Sequence, residues 1–126
     1  MTNYKVGDFL IQVKNAARAK KKELTLDSTK LIKAVCAVLK KEGVIDSFEE
    51  KEGLLKIKLS YKRKEPVLFD LKLVSKPGLR VYKNAEEILF RKDKSSIFIL
   101  STSKGVISSN DVEKLKVGGE LIAKIY

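Results

Sequence analysis

Histidine and tryptophan are absent from this 126-residue sequence, which holds one cysteine, one methionine and two prolines. Each gap excludes a chemistry. Without His the commonest general base at neutral pH is missing. Cys36 has no second Cys and no His with which to form an internal disulfide or a zinc site, so it reads as a small buried hydrophobe. No apolar run approaches the roughly 20 residues of a spanning helix, and no polybasic amphipathic stretch with Trp is present, so no membrane partner is expected. The opening Met1-Thr2-Asn3-Tyr4-Lys5-Val6-Gly7-Asp8 has no apolar signal core, and the expected location is cytoplasmic.

Acidic residues are also scarce: 16 Asp+Glu stand against 27 Lys+Arg, leaving a formal charge of +11. Such a surface attracts polyanions. Four of the basic residues are arginine, Arg18, Arg63, Arg80 and Arg91, so phosphate contacts would come mainly from lysine point charges, which position a duplex without reading its sequence. Hydrophobic residues make up 44%, enough for a folded core in one domain or two small ones.

From Val6, the apolar residues Val6, Phe9, Leu10, Val13 and Ala17 recur at helical spacing, with Lys14, Asn15, Arg18 and Lys22 on another face. Residues 23–26 read as a short strand. Asp27 or Ser28 is the expected cap of a second helix with Leu31, Ile32, Val35, Val38 and Leu39 as its buried stripe, Lys40 and Lys41 at its negative end and Gly43 as left-handed cap. The period then changes. Residues 44–49 suggest a strand and 50–53 a turn, after which Leu55, Ile57, Leu59 and Tyr61 alternate with Lys56, Lys58, Ser60 and Lys62. Residues 62–66 break that strand and mark the expected boundary between modules of residues 1–65 and 66–126.

In the second half, strands are expected at 67–74, 79–82, 96–100 and 120–126, with a positive-φ turn at Pro77-Gly78. Asn84 and Glu87 have the spacing of a helix-opening capping box, with a helical turn through Phe90. Residues 91–94 form a charged loop, 101–105 a polar loop and 111–115 a helical turn. The class is α+β: an N-terminal α-β-α-β-β module packed on a mainly antiparallel β module with short helical turns.

One enzyme pattern is matched formally: Ser101-Thr102-Ser103-Lys104 is S-x-x-K. Its companion S-D-N and K-T-G elements are missing, as is any phosphate-binding glycine loop, so no catalytic activity and no cofactor are expected. Three hydroxyls and a cation on one loop suit base edges, 2′-hydroxyls and phosphates, and equally suit an ordinary turn. Tyr82, near Arg80, is either a stacking residue or a half-buried strand residue.

Three ordered blocks resemble the signature of the bacterial small-subunit ribosomal protein eight family. They are Lys76-Pro77-Gly78-Leu79-Arg80-Val81-Tyr82, Ile99-Leu100-Ser101-Thr102-Ser103-Lys104-Gly105-Val106 and Val117-Gly118-Gly119-Glu120. Asp8, Asn15-Ala16, the stripe of the second helix and Gly43 extend the resemblance over nearly the whole chain. Gln12-Val13-Lys14 stands where the family has two arginines before the Asn, which keeps charge but not a bidentate fork. The resemblance implies two associated modules, binding to an irregular stem in the central domain of small-subunit ribosomal RNA early in assembly, and binding to a mimic of that stem in the protein's own operon messenger RNA. It places Ser101, Thr102, Ser103, Lys104, Tyr82 and Glu120 on the RNA core, Glu120 being equally readable as a residue that closes the turn after Gly118-Gly119; Arg80 and Lys76 are further candidate RNA-binding cations in the first block. The resemblance puts basic N-terminal residues on the RNA backbone; the charged faces offer Lys14, Arg18, Lys30, Lys33 and Lys56 for that contact, the alternative being that they are merely solvated. Neighbouring small-subunit proteins would be partners, and neither membrane nor DNA. The alternative is a messenger-RNA-binding translational regulator acting mainly outside the ribosome.

Overall fold

A computed structural model of the chain describes residues 5–68, 70–91 and 95–126. The first four residues of the opening segment, position 69 of the expected 67–74 strand and 92–94 of the charged loop lie outside these.

Helix α1 (Lys5–Arg18) buries Val6, Gly7, Phe9, Leu10, Val13, Ala16 and Ala17. Strand β1 (Glu23–Asp27) leads to helix α2 (Lys30–Lys41), whose stripe of Ile32, Val35, Cys36, Val38 and Leu39 faces α1 and the sheet. Leu31 is not part of that stripe; it lies one residue off it and is 43% exposed, and Cys36 takes the fifth buried place. The cap also differs from expectation. Ser28 N–H still donates to the Gly53 carbonyl at 3.0 Å, prolonging the strand pairing, so the helix opens at Thr29, whose hydroxyl accepts from Ile32 N–H at 3.1 Å. Gly43, at φ +81°, ends α2 with Gly43 N–H on the Lys40 carbonyl and Val44 N–H on that of Leu39.

Strands β2 (Ile45–Lys51) and β3 (Leu54–Leu59) form a hairpin around Glu52-Gly53, both left-handed, and β1 pairs with the other edge of β3. Leu55, Ile57 and Leu59 are buried under the helices while Lys56 and Lys58 face solvent on the opposite side. The long strand does end here, β3 stopping at Leu59, and the segment expected to break it folds back as a small hairpin, β4 (Tyr61–Lys62) with β5 (Glu65–Pro66). It can do so because Arg63 and Lys64 both adopt positive φ.

The expected 67–74 strand contracts to β6 (Leu71–Leu73), with Val67 bonded back to Ser60, and the 79–82 strand to β7 (Tyr82–Lys83). Helix α3 (Ala85–Leu89) has the anticipated capping box: Glu87 N–H donates to Asn84 Oδ1 at 2.8 Å and Asn84 N–H to Glu87 Oε1 at 3.1 Å. Then come β8 (Ile97–Thr102), β9 (Gly105–Ser108), a 3-10 turn (Ser109–Asp111), helix α4 (Val112–Leu115) and β10 (Gly119–Ile125). Strand β9 has no counterpart in the sequence reading. Its apolar content is short, and the polar residues expected to form a loop are partly strand: only Ser103 and Lys104 make the turn. The antiparallel sheet runs β6-β10-β8-β9, with β7 on β10.

This second sheet is buried on both faces, which explains the unalternating apolar run at 97–100. Ile99, Ile122, Ala123 and Ile125 join α1, α2 and β3 in one core, while Leu100 and Leu121 pack with Ile88, Ile107 and Val112 under α3 and α4. Polar contacts tie the halves further. Lys14 and Arg18 converge on Asp70 at 3.4 and 3.3 Å, Lys41 meets Asp111 at 2.6 Å, and Glu42 accepts from Ser108 at 2.7 Å and Asn110 at 2.8 Å.

Candidate nucleic-acid interface

At one end of the second sheet, three strands bring three of the expected residues into a single row. Glu120 on β10 is the direct partner of Tyr82 on one side and of Ser101 on the other. Direct antiparallel partners project to the same face with Cβ atoms about 4.5–5.5 Å apart, so an aromatic ring, a carboxylate and a hydroxyl stand side by side. Tyr82 is 67% exposed, which excludes the half-buried reading of that residue. Arg80 Nη1 lies 3.3 Å from Glu120 Oε2 and holds the carboxylate from above Tyr82 in the chain.

Two glycines make the row possible. A Cβ on Gly118 would overlap the Lys83 carbonyl and Asn84 Cα, and one on Gly119 would overlap the Ser101 carbonyl. These glycines therefore do more than open the strand: they let β10 enter between β7 and β8. Ser75, fully buried, positions the neighbouring loop. Its Oγ accepts from Val81 N–H at 3.0 Å while its own N–H donates to the Leu121 carbonyl. Lys76 and Leu79 exchange backbone bonds at 2.8 and 2.9 Å around Pro77-Gly78, with Gly78 at φ +81°, leaving Lys76 and Arg80 exposed beside the row. Sequence reasoning missed Ser75, which carries no local pattern that separates it from a surface serine.

The Ser-Thr-Ser-Lys segment divides. Thr102 Oγ1 donates to the Gly105 carbonyl at 2.8 Å and accepts from Lys104 N–H at 3.1 Å, so this hydroxyl closes the β8–β9 turn. The Ser101 and Ser103 hydroxyls have no such bond among the described residues, and Ser103 and Lys104 are exposed at the tip. No hydrogen bond joins Lys104 to Ser101, and no group of three His, Cys, Asp or Glu capable of holding a metal occurs among the described residues.

The basic residues expected in the first half do not form one patch. Lys14 and Arg18 share Asp70; Lys30 and Lys33 lie on the first turn of α2, with Lys33 3.1 Å from Glu50; Lys56 pairs with Glu23 at 3.3 Å on the far side of its sheet from the helices. Asp70 is held below the usual carboxylate range by the Leu71 N–H, then by Lys14 and Arg18. Cys36 is fully buried, and burial pushes its thiol up to about 12.

Residues 5–126 match the family model described as ribosomal protein S8. The chain is 40% identical over 121 residues to the small ribosomal subunit protein uS8 of Nitratidesulfovibrio vulgaris (strain DP4), covering 96% of each chain. It is 38% identical over 125 residues to that of Alkalilimnicola ehrlichii, covering 96% of this chain and 95% of the relative. To the uS8c protein of Tetradesmus obliquus it is 36% identical over 136 residues, covering all of both.

Proposed function

The chain belongs to the ribosomal protein S8 family, non-enzymatic proteins of the small ribosomal subunit, and on that premise we propose that it binds the central domain of small-subunit ribosomal RNA directly. The observation that carries this reading is the Tyr82–Glu120–Ser101 row. A carboxylate repels phosphate, so on a protein of charge +11 a half-buried Glu120, held by Arg80 beside the exposed Tyr82 ring, makes sense for contact with base edges, where it accepts from an amino group. Tyr82 offers a stacking face, and Ser101 and Ser103 offer hydroxyls that donate and accept toward bases and 2′-hydroxyls. Unstacked bases of an irregular stem present those groups; a regular A-form duplex hides them in its deep groove.

Labour divides along the chain in this proposal. Residues 66–126 carry recognition through Tyr82, Arg80, Lys76, Ser101, Ser103, Lys104 and Glu120, with Thr102 shaping the turn. Residues 1–65 supply cations to the backbone, from Lys14, Arg18, Lys30, Lys33 or Lys56. A messenger RNA that displays the same irregular stem would occupy the same row, and its occupation would repress translation. Residence on a cytoplasmic ribosome, beside other small-subunit proteins, belongs to the same proposal. The test is sedimentation of the chain at its normal expression level: it is expected with assembled small subunits, and its recovery only with free messenger RNA would overturn the ribosomal assignment in favour of a regulator.

A further inference from the structure

Two turn motifs occur twice in this chain, once built on glycine and once on a cation. Helix α2 ends on Gly43 in the left-handed conformation; α1 ends with the same pair of bonds, Lys20 N–H to the Ala17 carbonyl and Lys21 N–H to that of Ala16, but Lys20 occupies the left-handed position at φ +57°. The β2–β3 hairpin turns on Glu52-Gly53; the β4–β5 hairpin turns on Arg63 at φ +54° and Lys64 at φ +68°. Both central positions of such a turn favour Gly, Asn or Asp, because a Cβ there crowds the backbone. Three cations thus sit where the backbone prefers other residues.

The two turns are also fastened together. Tyr61 donates its hydroxyl to the Lys21 carbonyl at 2.6 Å, Leu59 N–H donates to the Lys22 carbonyl at 2.9 Å, and Lys20 pairs with Glu65 at 3.3 Å. The result is one knob presenting Lys20, Lys21, Lys22, Lys62, Arg63 and Lys64, all exposed, with Glu65 as the acid paired inside it. Lys21, Lys22, Lys62, Arg63 and Lys64 take part in no ion pair with described residues. The knob leads through Leu68 to Asp70, whose carbonyl accepts from Tyr126 N–H beyond the far end of β10. Glu120 and Ile125 are five residues apart on that strand, about 17 Å at the rise of a strand. The row therefore lies farther from the end of β10 nearest Asp70 than the screening length of about 8 Å at physiological salt.

We infer that this knob is a second RNA contact, gripping the phosphates of regular duplex that continues beyond the irregular stem read by Tyr82, Glu120 and Ser101. Clustered cations on rigid turns suit phosphate backbone, which carries no sequence information but fixes orientation. The inference rests on the RNA-binding reading above, and its test separates the two.

Arg63→Asn with Lys64→Gly supplies residues that accept the left-handed turn while removing two cations. Its affinity is measured against the trimmed irregular stem of the small-subunit central domain and against the same stem with about ten base pairs of regular duplex on each flank, at two salt concentrations. The expected result has opposite signs: a raised melting temperature, unchanged binding to the trimmed stem, and weaker binding to the flanked stem, with the log–log salt slope reduced by about 0.9 for each phosphate that the variant no longer neutralises. Equal affinity for the flanked stem, or equal weakening on both RNAs, overturns the knob as an RNA-binding element and leaves the row intact. Loss of a neighbouring protein from assembled particles with no change on either RNA assigns the knob to a protein partner and overturns it too. Failure of the unaltered chain to bind even the trimmed stem would instead sink the RNA reading itself.

Discussion

Gly119 runs against the carbonyl oxygen of Ser101 so closely that a Cβ at position 119 would overlap it. This close approach brings Glu120, the next residue, opposite Ser101, and the obstacle is backbone, which cannot swing aside as a flexible side chain does. Gly119→Ala should therefore force β10 away from β8, at about 1–3 kcal/mol of stability as an overpacked site. Urea unfolding reads the loss. Affinity for the irregular stem should fall further than stability accounts for under conditions where the variant is folded.

The register of α2 is tested by a pair of leucines. Leu39 is fully buried and Leu31 is 43% exposed. Leu39→Ala should cost about 2–5 kcal/mol. Leu31→Ala, away from the core, should stay within about 1 kcal/mol. Comparable losses in thermal unfolding would mean that the buried stripe is drawn wrongly.

Cys36 gives a reactivity prediction. Its thiol is fully buried and pushed up to about 12, so at pH 8 almost none is thiolate, the reactive form. A thiol-modifying reagent at that pH should leave the native protein unlabelled for as long as it stays folded and label it stoichiometrically in urea.

Much of this was legible in the sequence, and the misses share a cause. Helical stripes, the alternation of Leu55, Ile57 and Leu59 and the Asn84–Glu87 cap are local patterns, and they appear as expected. The N-cap at Thr29, the loss of Leu31 from the stripe and the strand status of Ser101 and Thr102 depend on what a distant segment does. Pairing across to Gly53 delays the second helix, and pairing to Glu120 and Val106 turns polar loop residues into strand. The candidate site was likewise legible as residue types but not as a row, because Tyr82, Ser101 and Glu120 meet only through sheet order. The hairpin at Arg63-Lys64 was hidden by two residues that ordinarily avoid its geometry.

Asp70 links the halves and makes their union sensitive to acid. Its carboxyl is lowered by the Leu71 N–H and by Lys14 and Arg18, so its folded value lies beneath its unfolded one of about 3.9. The stability it contributes is fully present above that unfolded value and is lost as pH falls through the folded one. Asp70→Asn should flatten the acid limb of a stability–pH profile while leaving its shape above pH 6 unchanged.

The central claim is that the hydroxyls beside Glu120 read RNA while the lysines hold it, and the measurement that tests it compares two variants on two RNAs at two salt concentrations. Thr102 is unsuitable, because its hydroxyl closes the turn to Gly105 and Lys104. Ser101→Ala with Ser103→Ala leaves that turn in place. Each missing hydroxyl should leave an RNA partner desolvated and unpaired, costing about 1–3 kcal/mol on the irregular stem, with little change on a regular duplex and an unaltered salt slope. Lys104→Ala should weaken both RNAs and lower the slope by about 0.9 for each duplex phosphate released. Equal weakening of both RNAs by the paired serine substitutions would contradict the account and reduce the segment to an ordinary hairpin turn.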